Sequence, residues 1–254
     1  MTGDAFGIRV GVDIGGTFTD FVFLRPDGRL QKRKVSSTPE DYAEAIVAGV
    51  LDVLDGKNTF IDEVVHATTV ATNAILERRG ARTAMITTAG FRDILELRRI
   101  RIPLSYDLEW EKPPPLAERA LRFEVKERLD NFGAVLTPLD LSGLDKIVES
   151  CISEKVTAIA VCFLHSYRNG DHERQVRDFI APKLPDVHIS LSSEILPELQ
   201  EFERASTTVV NAYVAPLIAE YLANLRRKLD NIKAVAPILV MQSNGGLVPS
   251  QTAS

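Results

Sequence analysis

An α/β fold is what this 254-residue sequence predicts. Short apolar runs of strand length alternate with stretches whose apolar residues recur at helical spacing, and Gly, Pro and Asp punctuate the joins. An apolar fraction of 45% and a charged fraction of 26% fit an ordinary globular chain with a sizeable core.

The elements follow in order. Ile8 to Ile14 is an apolar run ending at a Gly pair, Phe21 to Leu24 leads into the Pro26-Asp27-Gly28 turn, and Leu30 to Ser36 continues beyond it. Residues 8–36 therefore read as three strands joined by tight turns. Thr38-Pro39-Glu40-Asp41 starts a helix, with Thr38 as cap and Pro39 in the first turn. Tyr42, Ile46, Val47, Val50, Leu51 and Leu54 carry its period, and Gly56 ends it. A strand at Ile61 to His66, a helix from Thr69 to Arg79 stopped by Gly80, and a strand at Thr83 to Thr87 come next. The segment from Pro103 to Pro115 holds four of the thirteen prolines and the sole tryptophan, Trp110, and reads as an ordered excursion. Arg119 to Arg128 predicts one strand, turned at Asn131-Phe132-Gly133 and returned by Ala134 to Leu136. Helices at Asp140 to Glu154 and Asp171 to Ile180 alternate with strands at Val156 to Leu164 and Val187 to Leu191. A long helix then runs from Glu201 to Leu229, with Pro216 expected to kink it. A last strand, Pro237 to Met241, leads into Ser243-Asn244-Gly245-Gly246.

Composition excludes several function classes. A net charge of −5 argues against a nucleic-acid-binding surface. Arg92, Arg98, Arg99 and Arg101 are a local basic exception, read as an ion-paired or solvated face, with an anion site as the alternative. Cys151 and Cys162 form no C-x-x-C pair and sit in apolar runs, which predicts buried reduced thiols. The histidines, His66, His165, His172 and His188, show no metal-ligand spacing. No apolar run reaches the length of a membrane span, and Met1-Thr2-Gly3-Asp4 lacks the character of a signal peptide. The cytoplasm is the expected address.

Chemistry concentrates in Gly11-Val12-Asp13-Ile14-Gly15-Gly16-Thr17-Phe18-Thr19-Asp20. A strand delivers an aspartate, two glycines make a tight turn, and hydroxyl residues open the next strand. Glycines without a Cβ let backbone N–H groups approach phosphate oxygens closely, and Thr17 and Thr19 can add hydroxyl donors. Asp13 is placed to hold Mg²⁺ directly or through water. A plain hairpin turn is the alternative, but the ordered set of Asp, Gly-Gly and Thr-x-Thr-Asp inside a three-strand unit favours a phosphate loop. No G-K-[ST] or G-x-G-x-x-G opens a helix here, so it is neither a Walker nor a Rossmann loop.

The arrangement resembles the first phosphate loop of the actin/sugar kinase/heat-shock ATPase superfamily. Five further stretches resemble the hydantoinase A/5-oxoprolinase family in its own order: Val65 to Ile75 with Gly80 to Thr83, Thr87 to Asp93, Glu203 to Tyr213, and Gln242 to Leu247. That resemblance implies an actin-like (ribonuclease H-like) ATPase lobe with an inserted α+β subdomain, truncated before the second lobe. It divides the chain into an N-terminal region at 6–191 and the start of a central region at 192–254.

The resemblance further implies an ATP- and Mg²⁺-dependent amidohydrolase that opens a lactam or hydantoin ring of the 5-oxoproline or hydantoin type. Phosphate passes to the carbonyl oxygen and water attacks the activated carbon. Asp13, Gly15, Gly16, Thr17, Thr19 and Asp20 match the nucleotide loop, with Asp13 the metal ligand. His66, Thr68, Thr69 and Asn73 match the strand end that faces substrate in related sugar kinases. Each keeps a plainer alternative: a hydrogen-bonded buried histidine for His66, helix capping for Thr68 and Thr69. Arg92 with Asp93 reads as a structural pair, and Glu203, Arg204 and Asn211 as interdomain hydrogen bonding or catalysis. Family members are considerably longer and carry a second Asp-Gly-Gly-Thr loop beyond the Ser-Asn-Gly-Gly stretch. A missing C-terminal part or partner subunit, association into an oligomer, and little turnover by this chain alone are therefore implied. Alternatives are a subunit of an ATP-dependent ketone carboxylase of the same family, or a non-catalytic fragment acting by subunit binding. A sugar or acetate kinase would share only the phosphate loop.

Overall fold

The computed structural model describes residues 7–38, 41–54, 60–99, 109–234 and 236–253. In chain order its strands are β1 (Ile8–Ile14), β2 (Phe18–Leu24), β3 (Leu30–Ser36), β4 (Ile61–Thr68), β5 (Thr83–Thr88), β6 (Arg122–Val125), β7 (Arg128–Leu129), β8 (Val135–Thr137), β9 (Ala158–Cys162), β10 (His188–Leu191), β11 (Ile238–Met241) and β12 (Leu247–Pro249). Its helices are α1 (Tyr42–Leu51), α2 (Val70–Leu76), α3 (Ile94–Leu97), α4 (Leu144–Ser153), α5 (Asp171–Ile180), α6 (Ser192–Ile195), α7 (Glu201–Asn231) and α8 (Ser250–Ala253). The chain forms two compact units: residues 1–77 with 217–254, and residues 78–216. In chain order the second is an insertion within the first. Among the described residues no helix is long and apolar enough to cross a membrane.

The first unit is built on a six-stranded sheet in the order β12-β11-β4-β1-β2-β3. β1 pairs antiparallel with β2 and parallel with β4, while β11 runs parallel to β4 on its other side. Strict alternation sets the faces. Ile8, Val10, Val12 and Ile14 are buried, whereas Arg9 and Asp13 between them are exposed. The buried set packs with Phe21, Phe23 and Val64, with Ala43, Ile46 and Val50 of α1, and with Leu225 and Leu229 of α7. Each large side chain so buried contributes about 1.5–3 kcal/mol. The edge strand β3 is exposed along Lys32, Arg33 and Lys34, a charge pattern that discourages edge-to-edge pairing.

Asp41, rather than Thr38, caps α1: its carboxylate accepts from the Ala43 N–H at 3.1 Å. The same carboxylate accepts from Asn224 at 3.0 Å and Lys228 at 2.5 Å, so a tertiary contact with α7 selects which of two good capping residues is used. Pro39, Glu40 and Gly56 lie outside the described residues, as does the stretch of the proline-rich excursion up to residue 108.

The second unit holds a parallel sheet ordered β10-β9-β5-β6 and a small β7-β8 hairpin. Its apolar core joins Ile86, Ile159, Val161 and Phe163 to Val148, Val176 and Ile180 of the covering helices. β5 and β9 are buried along their whole length, as strands covered on both faces are. Cys151 and Cys162 are free buried thiols, and burial pushes them up to about 11 and about 12.

Buried polar groups break up the single strand expected at Arg119 to Arg128. A 3₁₀ turn at Arg119–Leu121 precedes β6, and Lys126 and Glu127 separate β6 from β7. Arg122 is buried and donates to the Ala117 carbonyl from two nitrogens, at 3.0 and 2.7 Å. The Glu127 carboxylate is drawn inside to accept from the Thr88 hydroxyl and to pair with His172 Nδ1 at 2.8 Å. Burial without such partners would cost several kcal/mol, roughly 2–7 for a neutral polar group and more for a charge.

Residues to Pro216 of α7 belong to the second unit and the rest to the first. α7 contains Pro216 within its span. α2 ends at Leu76, short of the expected Arg79, because Arg78 takes a left-handed φ of 54°. Gly80 is needed for a different reason: a Cβ there would lie 2.1 Å from the Tyr213 ring.

Gly49 gives a direct test of core packing. A Cβ on this α1 residue would meet the buried Phe21 ring at 2.4 Å. Gly49→Ala is expected to destabilise the protein by about 1–3 kcal/mol despite the better helix propensity of alanine, as measured by urea unfolding. A neutral or stabilising result would mean the α1–sheet contact is looser than described.

Candidate functional site

Three connections leave the carboxyl ends of adjacent parallel strands in the first unit. β1 ends at Ile14 and turns through Gly15-Gly16-Thr17, β4 ends at Thr68 in register with Ile14, and β11 runs into Gln242 to Gly246. Such an edge of an open α/β sheet is where ligands bind by general rule.

The first connection is a closed, tight loop. Gly15 N–H donates to the Phe18 carbonyl at 2.9 Å, and a Cβ on Gly15 would stand 3.0 Å from that same oxygen. Gly16 differs: a Cβ there would meet nothing within 4 Å, and both Gly16 and Thr17 are exposed. Among the described residues neither the Gly16 nor the Thr17 N–H has a hydrogen-bond partner, so two consecutive backbone donors on exposed residues are left unengaged. Asp13 and Asp20 are cross-strand partners, both exposed on the sheet face opposite the core. Asp20 pairs with Lys34 at 3.2 Å, whereas Asp13 makes no hydrogen bond or ion pair among the described residues. Two free N–H groups beside an unengaged carboxylate fit a phosphate with its Mg²⁺.

Thr19 is placed differently from its neighbours. It is fully buried, and its hydroxyl lies 3.0 Å from Ser37 Oγ. It sits beneath the loop, while Thr17 is on the surface.

At the second connection Thr68 Oγ1 accepts from the Val70 N–H at 3.1 Å, which makes Thr68 the side chain that caps α2. Thr69 occupies the N-cap position without capping. Its hydroxyl donates instead to the Ile14 carbonyl at 3.2 Å and accepts from Asn73 Nδ2 at 3.3 Å. Thr69 thereby ties this turn to the base of the phosphate-loop candidate and brings Asn73 along. His66 faces the other way. It is fully buried, and Nε2 lies 2.7 Å from the Tyr221 hydroxyl. Desolvation lowers its pKa to about 4; the Val12 main chain opposes that shift by proximity but lies outside hydrogen-bond geometry, which leaves Nδ1 unsatisfied. Burial likewise pushes the Tyr221 phenol up, so the pair is neutral across the ordinary pH range.

Two parts of this edge carry no site role in the sequence reading, Ser37 and the Gln242 to Gly246 turn, the second of which is marked there only as a family-like stretch. Ser37 holds the loop from below, and its only signal was the hydroxyl run Ser36-Ser37-Thr38 after a strand. The Gln242 to Gly246 turn is exposed throughout and fixed by Gln242 N–H to the Gly246 carbonyl at 2.8 Å, by Gly246 N–H to Asn244 Oδ1 at 2.8 Å, and by Gly245 at φ 84°.

Other candidate residues lie in the second unit and are engaged in structure. Asp93 pairs not with Arg92 but with Arg119, at 2.7 and 3.0 Å, and Arg92 donates to the Arg119 carbonyl at 2.9 Å. Arg99 forms a two-point pair with Glu203 at 2.8 and 2.6 Å, which supports the ion-paired reading of the arginine cluster; Arg101 lies outside the described residues. Arg204 is buried and donates to the Phe163 carbonyl at 2.8 Å, to Ser166, and to Ser192 at 3.1 Å. Asn211 donates to Ser190 at 3.0 Å.

The hydantoinase/oxoprolinase N-terminal region matches residues 9–184, and the hydantoinase/oxoprolinase region matches residues 204–254. The chain belongs to the hydantoinase/oxoprolinase family. It is 33% identical over 250 residues to caprolactamase subunit alpha of Pseudomonas jessenii, covering 95% of this chain and 36% of that one. To 5-oxoprolinase 1 of Arabidopsis thaliana it is 34% identical over 276 residues, covering 95% and 22%. The crystal structure of the ATP-dependent caprolactamase matches with a TM-score of 0.84. Nucleotide-free acetone carboxylase, a protein of ATP-dependent acetone carboxylation, matches at 0.84 with 25% identity, covering 96% of this chain and 37% of that one. The fold is the actin-like α/β ATPase type, with its N-terminal portion present. This chain spans about a third or less of the length of these relatives.

His66 makes a pH signature. Above pH 6.5 the histidine is neutral in both folded and unfolded chains. As pH falls from 6.5 towards 4 the unfolded chain takes up a proton that the folded chain refuses, so stability drops across that window, by roughly 3 kcal/mol. Urea unfolding of wild type and His66→Gln at pH 7 and pH 4.5 should show the wild type's advantage shrinking in acid. An unchanged difference would show that His66 takes up its proton in the folded chain.

Proposed function

We propose that this chain supplies the first phosphate-binding lobe of an ATP-dependent enzyme that opens a cyclic amide of the lactam or hydantoin type. The observation that carries the reading is the pair of unengaged N–H groups on exposed Gly16 and Thr17, three residues on from the unengaged Asp13, at the carboxyl ends of parallel strands. Gly15, Gly16 and Thr17 would hold phosphate oxygens, Asp13 would hold Mg²⁺, Asp20 would complete the acidic face, and Thr19 would support the loop from within. Thr68, Thr69 and Asn73 would border the substrate, with His66 packed behind them as a positioning residue. Residues 6–191 and 192–254 are the proposed shares of the two family regions.

An unstrained amide is a poor electrophile, and ATP when bound supplies the phosphoryl group that makes its carbonyl carbon reactive. The name of one relative at about a third identity concerns a lactam, and that of another 5-oxoproline. Because the chain spans only part of these relatives, the rest of the active enzyme is proposed to come from a further polypeptide segment or partner subunit, in a cytoplasmic oligomer. A ketone carboxylase subunit is the second reading, favoured by the equal TM-score of acetone carboxylase but at lower identity.

Gly16→Val tests the loop, because the open space around Gly16 lets the fold accept a side chain that a phosphate could not. The variant should keep its stability within about 0.5 kcal/mol and lose at least about tenfold in Mg²⁺–ATP affinity by calorimetry. Unaltered affinity would refute the phosphate-loop assignment. For turnover, the isolated chain is expected to hydrolyse ATP negligibly, since one lobe supplies only part of the nucleotide contacts. Co-purified with the polypeptide encoded directly downstream, it should show ATP hydrolysis stimulated by 5-oxoproline, caprolactam or hydantoin. Stimulation by a ketone with bicarbonate instead would establish the carboxylase reading.

A further inference from the structure

The loop between β1 and β2 is held from one side by a residue outside the glycine motif. Ser37, the residue after β3, bonds to it three times. Its N–H donates to the Thr17 carbonyl at 2.9 Å, its hydroxyl donates to the Gly15 carbonyl at 2.8 Å, and its Oγ lies 3.0 Å from the hydroxyl of buried Thr19.

The Gly15 contact has a directional consequence. A peptide unit is planar and trans, so its C=O and N–H point in opposite directions. Gly15 C=O and Gly16 N–H belong to the same unit, and pinning the carbonyl inward to Ser37 aims the Gly16 N–H outward. Thr69 does the matching work one unit earlier. Its hydroxyl holds the Ile14 carbonyl at 3.2 Å, and the Gly15 N–H of that unit is spent on the Phe18 carbonyl at 2.9 Å. Two consecutive units are therefore oriented by side chains from two different strand ends. Glycine at 15 and 16 makes this necessary, because a Gly-Gly peptide rotates with little steric hindrance and would sample the flipped orientation when left unpinned.

We infer that Ser37 is a positioning residue for phosphate binding: it fixes the orientation of the Gly15–Gly16 peptide so that the Gly16 N–H is already aimed at the ligand. The inference rests on the phosphate-loop reading above. Orienting a donor before the ligand arrives lowers the ordering cost of binding. Half-buried Ser37 spends its N–H and its hydroxyl on Thr17, Gly15 and Thr19 of its own chain, so it acts through the loop.

The test uses the full 254-residue chain, ¹⁵N-labelled and titrated with Mg²⁺–ATP, following the Gly16 and Thr17 amide resonances. Wild type should show a saturable shift of both. Ser37→Ala should weaken the apparent affinity about fivefold, the weight of one ordinary hydrogen bond, and should move and broaden the free Gly16 resonance before any nucleotide is added. Ser37→Thr, which keeps the hydroxyl, should restore both readouts to within about twofold of wild type. A merely structural role would lower stability in Ser37→Ala without changing affinity or the Gly16 resonance in the folded fraction, and that outcome overturns the inference. If Ser37→Ala does not fold, Ser37→Cys is read by the same criteria, since a thiol keeps the volume but is a weak hydrogen-bonding group. Absence of any saturable shift in the wild type would instead remove the phosphate-loop reading itself, and this inference with it.

Discussion

Parallel pairing of β1 with β4 is the constraint on which the first unit depends. Their register sets Ile14 beside Thr68, so the glycine turn and the β4–α2 turn leave the sheet side by side. Alternation along β1 then decides chemistry from packing: Val12 and Ile14 go to the core with His66 of β4, while Asp13 between them goes to the open face. A slip of one residue would bury the aspartate and expose the valine, so the apolar pattern that stabilises the sheet also delivers the carboxylate to the surface.

Around that edge the side chains divide their work between holding and presenting. Ser37, Thr19, Thr68 and Thr69 spend their hydroxyls on the protein itself, on carbonyls, on an amide N–H or on each other. The Asp13 carboxylate and the Gly16 and Thr17 N–H groups are left uncommitted, on exposed residues. An oriented set of donors needs such an inner layer, because unsupported Gly-Gly backbone has too many conformations open to it.

The second unit is stabilised by another kind of interior. Arg122, Glu127, His172, Glu173 and Arg204 are all buried and each bonds to named partners, with Arg204 Nε left unpaired while its Nη1 donates. Glu173 alone receives the Phe163 N–H at 2.9 Å, the Ser192 hydroxyl at 2.5 Å and the Ser193 N–H at 2.8 Å. These bonds tie the carboxyl ends of β9 and β10 to α5. Removing one partner would strand the other in a medium that solvates it poorly, so the network specifies one arrangement of those ends.

By itself the sequence determined the α/β class, the three opening strands, the bounds of α5, and the glycine loop with its flanking aspartates. Those features are written in local signals: alternation of period two, helical spacing, and turn residues that only a few conformations accept. Tertiary structure alone decided which residues of the loop face out, that Asp41 rather than Thr38 caps α1, and that Thr68 caps α2 while Thr69 grips β1. It also decided that Glu127 breaks a strand and that His66 is turned into the core. Apart from the local Thr68 cap, each of these depends on a partner remote in sequence, Ser37 for the loop, Lys228 and Asn224 for Asp41, Ile14 for Thr69, Thr88 and His172 for Glu127, Tyr221 for His66. A polar side chain carries no local mark of the partner it will find, because that choice is made by whichever groups the folded backbone brings within hydrogen-bond reach.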